Sequence, residues 1–114
     1  MRTSIIPFVI AVVFCLSCTK DIGYIPFCDK TPSNYNTVLK PVILQKCSQG
    51  YCHHDGAFMG DFTTYAGLKE KIDKGTFKLQ VFDNKVMPPS FSEQLTDDEL
   101  KKIKCWLDDG APEN

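Results

Sequence analysis

The run Cys47-Ser48-Gln49-Gly50-Tyr51-Cys52-His53 sets two thiols and an imidazole close together, with the histidine directly after the second cysteine. Two thiols can add to the vinyl groups at a porphyrin edge, and an imidazole beside the second can turn inward to ligate iron. That is the chemistry of c-type haem attachment, whose usual form has two residues between the cysteines. This chain has four. In a regular helix, five steps at about 100° each would rotate the second sulfur about 140° away from the first. The two extra residues therefore have to bulge outward, and Gly50 has the backbone freedom to let them. The expectation is one covalent haem c, bound through Cys47 and Cys52 with His53 on the iron.

A chain of 114 residues has room for one small domain. Its start is not part of that domain. Arg2 precedes an almost unbroken apolar run from Ile5 to Leu16. This is shorter than the ~20 residues of a spanning helix and has the length of a signal-peptide core. The run ends on Cys15-Leu16-Ser17-Cys18, which is similar to the lipobox of bacterial lipoproteins, where cleavage before the cysteine exposes it for diacylation. Leu16 and Ser17 fit that pattern and Cys15 does not. Residues 1–17 are expected to be a lipoprotein signal peptide and Cys18 the lipidated residue. The alternative is ordinary cleavage that leaves Cys18 a thiol. Thr19, with no aspartate after the cysteine, points to an exported lipoprotein, periplasm-facing or on the cell surface, in the outer membrane.

Residues 18–35 read as a tether, irregular to about Ser33 and punctuated by Gly23, Pro26 and Pro32. A helix is expected from about Asn34 to Thr37 towards Cys47, with Val38, Leu39, Val42 and Ile43 on its apolar face and Pro41 in its first turn. Phe62 to Lys74 reads as a loop entering a short helix, with Leu68 and Ile72 one turn apart and Gly75 as the stop. Thr76 to Val86 carries mixed signals and receives no assignment. Thr96-Asp97-Asp98-Glu99 is a capping box, followed by Leu100, Ile103, Trp106 and Leu107 at helical spacing and closed by Gly110 and Pro112. The fold class is all-α, with long loops wrapped around one haem that supplies much of the core.

A low-spin haem takes a second axial ligand, normally methionine or histidine. His54 adjoins His53 and cannot reach the opposite face of the same iron, which leaves Met59 or Met87. Met59 follows His53 by only six residues, a tight path around the porphyrin edge. Met87 lies far downstream and is followed by Pro88-Pro89, which hold the backbone extended for presenting a thioether. Met87 is therefore the expected ligand, against the bland alternative of a methionine that fills core space.

The haem motif ending in Cys52-His53, then Met87-Pro88-Pro89, Leu95-Thr96 with Glu99-Leu100, and Trp106-Leu107 before Gly110-Ala111, taken in this order, resembles the class I mono-haem cytochrome c domains of bacterial lipoproteins. The resemblance covers roughly residues 36–111 and assigns 36–114 as a cytochrome c domain. It implies a small class I cytochrome c-like fold, Cys47 and Cys52 as thioether sites, His53 and Met87 as axial ligands, and Trp106 packed near the haem. The four-residue spacing departs from the family pattern and leaves the haem maturation machinery open. Cys28 and Cys105 remain. Outside the cytoplasm two thiols tend to pair, and in this family the first and last helices cross, which would bring them together. The alternatives are two separately buried thiols or a partner-facing thiol.

The function implied is a membrane-tethered electron carrier and not an enzyme, since two axial ligands leave no open site on the iron. Its partners are a transient redox protein and, through the lipid anchor, a membrane. Lys and Arg number 13 against 14 Asp and Glu, a net charge of −1, and no basic patch stands out, so nucleic acid is not expected. Two other classes compete: a haem enzyme or sensor with a displaceable Met ligand, and a zinc-stabilised lipoprotein module using Cys47, Cys52, one histidine and another cysteine. Tyr65, Phe62, Phe77, Phe82 and Phe91 read as haem-pocket lining or core. Lys101, Lys102 and Lys104 read as the solvated side of the last helix.

Overall fold

The computed structural model describes residues 26–114. The expected signal peptide, the lipidation site Cys18 and the tether up to residue 25 lie outside the described residues. A 3-10 helix, Pro26–Lys30, comes first. A π-helical turn, Tyr35–Leu39, then runs directly into helix α1, Lys40–Lys46. After the cysteine-rich segment come α2, Tyr65–Asp73, and α3, Thr76–Lys78, which continues into a second π-helical turn, Leu79–Asp83. Helix α4, Asp97–Asp108, is last. No strand occurs among the described residues, and the fold is all-α.

Each main helix starts where a side chain can satisfy free N–H groups. Asn34 Oδ1 accepts from the Thr37 amide at 3.1 Å and Thr64 Oγ1 from the Gly67 amide at 3.1 Å. The capping box of α4 is complete: Thr96 Oγ1 accepts from Glu99 N at 3.2 Å, and the Glu99 carboxylate accepts from Thr96 N at 2.8 Å. Pro41 departs from expectation, because the helical segment begins at Tyr35 and not one turn before the proline. The wide turn resolves the conflict. Leu39 and Lys40 donate five residues back, to Asn34 and Tyr35, so the ladder is already displaced where Pro41 has no N–H to offer. Thr76–Asp83, unassigned from sequence, is helical and buries Phe77 and Val81.

Tyr35, Leu39 and Ile43 form one buried stripe of the first helical segment, and it meets Leu68 of α2 and Ile103 and Trp106 of α4. Burying each of these aliphatic side chains contributes about 1.5–3 kcal/mol. Tyr35 stacks on Trp106 with centroids 5.5 Å apart and receives Tyr65 edge-on at 5.2 Å. The last residues are pinned onto the same junction: Tyr65 Oη donates to Ala111 O at 2.8 Å, Trp106 Nε1 to Pro112 O at 2.9 Å, and Asn36 N to Asn114 O at 3.0 Å. Within the segment read as a tether, Tyr35 is core and Cys28 is joined by a disulfide to Cys105 of α4. Folded structure thus reaches N-terminal to residue 36.

Candidate haem-binding site

The site grows out of the end of α1. The Cys47 amide donates to Ile43 O at 2.9 Å, completing the last helical turn. The chain then leaves and returns: His53 N donates to Cys47 O at 3.0 Å, which closes the excursion of residues 48–52. Gly50 turns it with φ +59°, and Tyr51 at its tip is wholly exposed. The bulge expected from the four-residue spacing is present. It brings Cys52 and His53 back beside the end of α1, and both cysteines of the motif are free thiols.

A second tight loop orients the histidine. Phe62 N donates to His53 O at 3.0 Å, and within the loop Gly60 O lies 2.9 Å from His53 Nδ1. A carbonyl can only accept, so Nδ1 carries the hydrogen and the Nε2 lone pair is left for a metal. The imidazole is also stacked on Phe62, with centroids 3.9 Å apart and planes 6° from parallel. Asp61 ties the loop by accepting from the amides of Thr63 and Gly56, and hydrogen bonds, led by that of the Thr63 hydroxyl, hold its carboxyl below the ordinary range. His54 Nδ1 instead contacts Asp55 O at 2.7 Å within its own turn.

Cys47, Cys52, His53, Met59 and Met87 all border one cavity of about 450 Å³, walled largely by Phe62, Phe77, Val81, Pro88 and Pro89. That volume falls in the range of roughly 300–1,000 Å³ typical of small-molecule and cofactor sites. Met59 precedes Gly60, so it belongs to the loop that is bonded to His53. Met87 hangs from a different wall: Val86 N and Met87 N both donate to Gln80 O, at 2.9 and 3.2 Å. Burial, with smaller contributions from Cys52 and Glu99, pushes the Cys47 thiol from 9.0 up to about 12, so it stays protonated at neutral pH.

Two expected placements differ. Trp106 does not border the cavity: it stacks on Tyr35, and its Nε1 donates to Pro112 O. Phe91 does not border this cavity and is not core, being 88% exposed on the loop after Pro89. Lys46, unnoticed in sequence, borders the cavity as a buried cation whose ammonium donates to Glu93 and, at 3.2 Å, to Gln94 O. Its position immediately before Cys47 was the one signal that could have singled it out. No group of three or more His, Cys, Asp and Glu side chains able to hold a metal ion occurs among the described residues, and no helix there is long and apolar enough to cross a membrane. Comparison with protein-family models, curated proteins and solved structures found nothing that matches this chain.

Proposed function

We propose that the chain is a membrane-tethered electron carrier of the class I cytochrome c kind, holding one covalent haem c. The observation that carries this reading is the shared cavity: both motif cysteines, a histidine with its Nε2 left for metal, and a methionine from a separate wall meet around one apolar space. In this reading Cys47 and Cys52 would hold the haem through two thioethers, and His53, through Nε2, and Met87 would ligate its iron. Met59 would be the less suited ligand, because it belongs to the loop that is hydrogen-bonded to His53. The bound haem supplies a one-electron couple between Fe(III) and Fe(II), and methionine ligation raises its potential.

Phe62, Phe77, Val81 and Pro88 would give a bound haem apolar walls, and the hydrogen bond from His53 Nδ1 to Gly60 O orients the imidazole. Tyr51 and Met59, largely exposed at the cavity's border, offer an apolar surface for small, transient docking with a redox protein. Residues 1–17 and Cys18 would supply export and the lipid anchor. A zinc module fits less well. Structural zinc takes four ligands, whereas among the described residues Cys28 and Cys105 are committed to a disulfide and no group of three or more His, Cys, Asp and Glu side chains is placed to hold a metal ion.

The test is ligand replacement in chain produced with a cytochrome c maturation system. The reading expects the long-wavelength sulfur-to-iron band of the oxidised protein to vanish in Met87→Ala and to persist in Met59→Ala. Loss in Met59→Ala with retention in Met87→Ala would overturn the ligand assignment. Ready CO binding by the reduced parent chain would favour a haem enzyme or sensor with a displaceable methionine.

A further inference from the structure

We infer that Lys46 is a positioning residue: its buried ammonium clamps the loop carrying Met87 to the segment carrying Cys47. The inference rests on the haem reading above and goes beyond it by naming what holds the distal ligand in place. Lys46 is the one buried charged residue among the described residues, with 5% of its side chain exposed. Its ammonium donates to the Glu93 carboxylate and to Gln94 O, and lies 3.8 Å from the Glu99 carboxylate of the α4 capping box. Gln45 Nε2 reaches both oxygens of the same Glu93 carboxylate at 3.4 Å.

The clamped loop is closed on itself. Pro89 O accepts from Ser92 N and Ser92 Oγ, each at 2.9 Å, and from Gln94 Nε2 at 2.8 Å. It therefore moves as a unit, held at one end by the Met87 amide on Gln80 O and at the other by Lys46. Apolar packing does little to fix it: Pro88 is buried, but Met87 is 39% exposed and Phe91 88%. An ion pair whose carboxylate is largely exposed, as Glu93 is, contributes little net stability. What it does supply here is geometric selection: if the loop swings away the ammonium loses Glu93 and Gln94 O and keeps only the Glu99 carboxylate at 3.8 Å, a poorer set of partners for a charge on a buried side chain. Lys46 thereby favours the loop arrangement in which Met87 borders the cavity.

The experiment uses haem-loaded full chain with Lys46→Met, Lys46→Arg and Glu93→Ala, probed with free imidazole as a competitor for the methionine position. Exogenous ligand binds only when the loop is open, so its apparent affinity reports the open population. Losing a charge-assisted hydrogen bond should shift that population enough to tighten imidazole binding about tenfold in Lys46→Met and Glu93→Ala. Lys46→Arg should stay near the parent, and the Ser92 amide should exchange faster in the first two variants. Glu93 is exposed, so its variant carries the test if Lys46→Met fails to fold. Parent-like imidazole affinity together with parent-like Ser92 exchange in Glu93→Ala would overturn the clamp. A parent chain that takes up no covalent haem would overturn the haem reading instead, and Ser92 exchange alone would then decide whether the clamp exists.

Discussion

Replacing Gly67 by alanine separates local propensity from tertiary structure, because the two predict opposite signs. Gly67 is the third residue of α2, where alanine is favoured over glycine by about 1 kcal/mol. In the folded chain, however, a Cβ at Gly67 would fall 1.9 Å from the Asp61 carbonyl oxygen and 2.9 Å from its carbon. Both are backbone atoms that cannot rotate away, so either the first turn of α2 or the loop ahead of it must move. Overpacking of this kind costs about 1–3 kcal/mol and sometimes more. With a main-chain atom at that range we take the upper end, which leaves a net loss of about 2 kcal/mol after the propensity gain. For a domain of this size that lowers the unfolding temperature by roughly 8–16 °C. The displaced loop is the one whose Gly60 carbonyl orients His53, so the proposed ligation by His53 should weaken as well. Thermal unfolding followed by far-UV circular dichroism reads the first effect. An alanine variant as stable as the parent, or more so, would refute the close approach of α2 to Asp61.

The Cys47 thiol gives a pH dependence of definite sign. The unfolded thiol ionises near 9.0 and the folded one only near 12, so the folded state holds one more proton between those values. Stability of the haem-free chain should therefore fall as pH rises through that window, by up to about 1.4 kcal/mol per pH unit. Urea titrations from about pH 8 to about pH 11 should show this slope and a shallower one in Cys47→Ala, where the Tyr35 hydroxyl, also raised by burial, still contributes; a flat profile in the parent would contradict the burial. Breaking the Cys28–Cys105 bridge, which closes a 77-residue separation, with the paired change to serine should cost about 4–5 kcal/mol on the chain-entropy model. Unfolding measured with and without dithiothreitol checks this, and identical midpoints would rule out the bridge.

What the sequence disclosed was mostly local. The Thr96–Glu99 capping box depends on residues three apart and could be read directly, as could the outward bulge forced by four residues between Cys47 and Cys52. Lys102 and Lys104 pair with Asp98 and Asp108 one turn away, which is the solvated-face behaviour their spacing suggests. The segment from Thr76 to Asp83 was not legible, since its threonine, valine and phenylalanines favour strands and only the burial of Phe77 and Val81 against the core holds it helical. The stacking of Trp106 on Tyr35 joins residues far apart in the chain, and no spacing rule reveals that contact. Lys46 was hidden for the same reason, its partners Glu93 and Gln94 being fixed only by the fold.

The central claim is covalent haem at Cys47 and Cys52, and a reduced-minus-oxidised spectrum with a pyridine haemochrome tests it most directly. On protein made with a cytochrome c maturation system, the account predicts a c-type α-band whose chromophore stays with the polypeptide through acid-acetone extraction. A colourless chain, above all one that carries zinc, would contradict it.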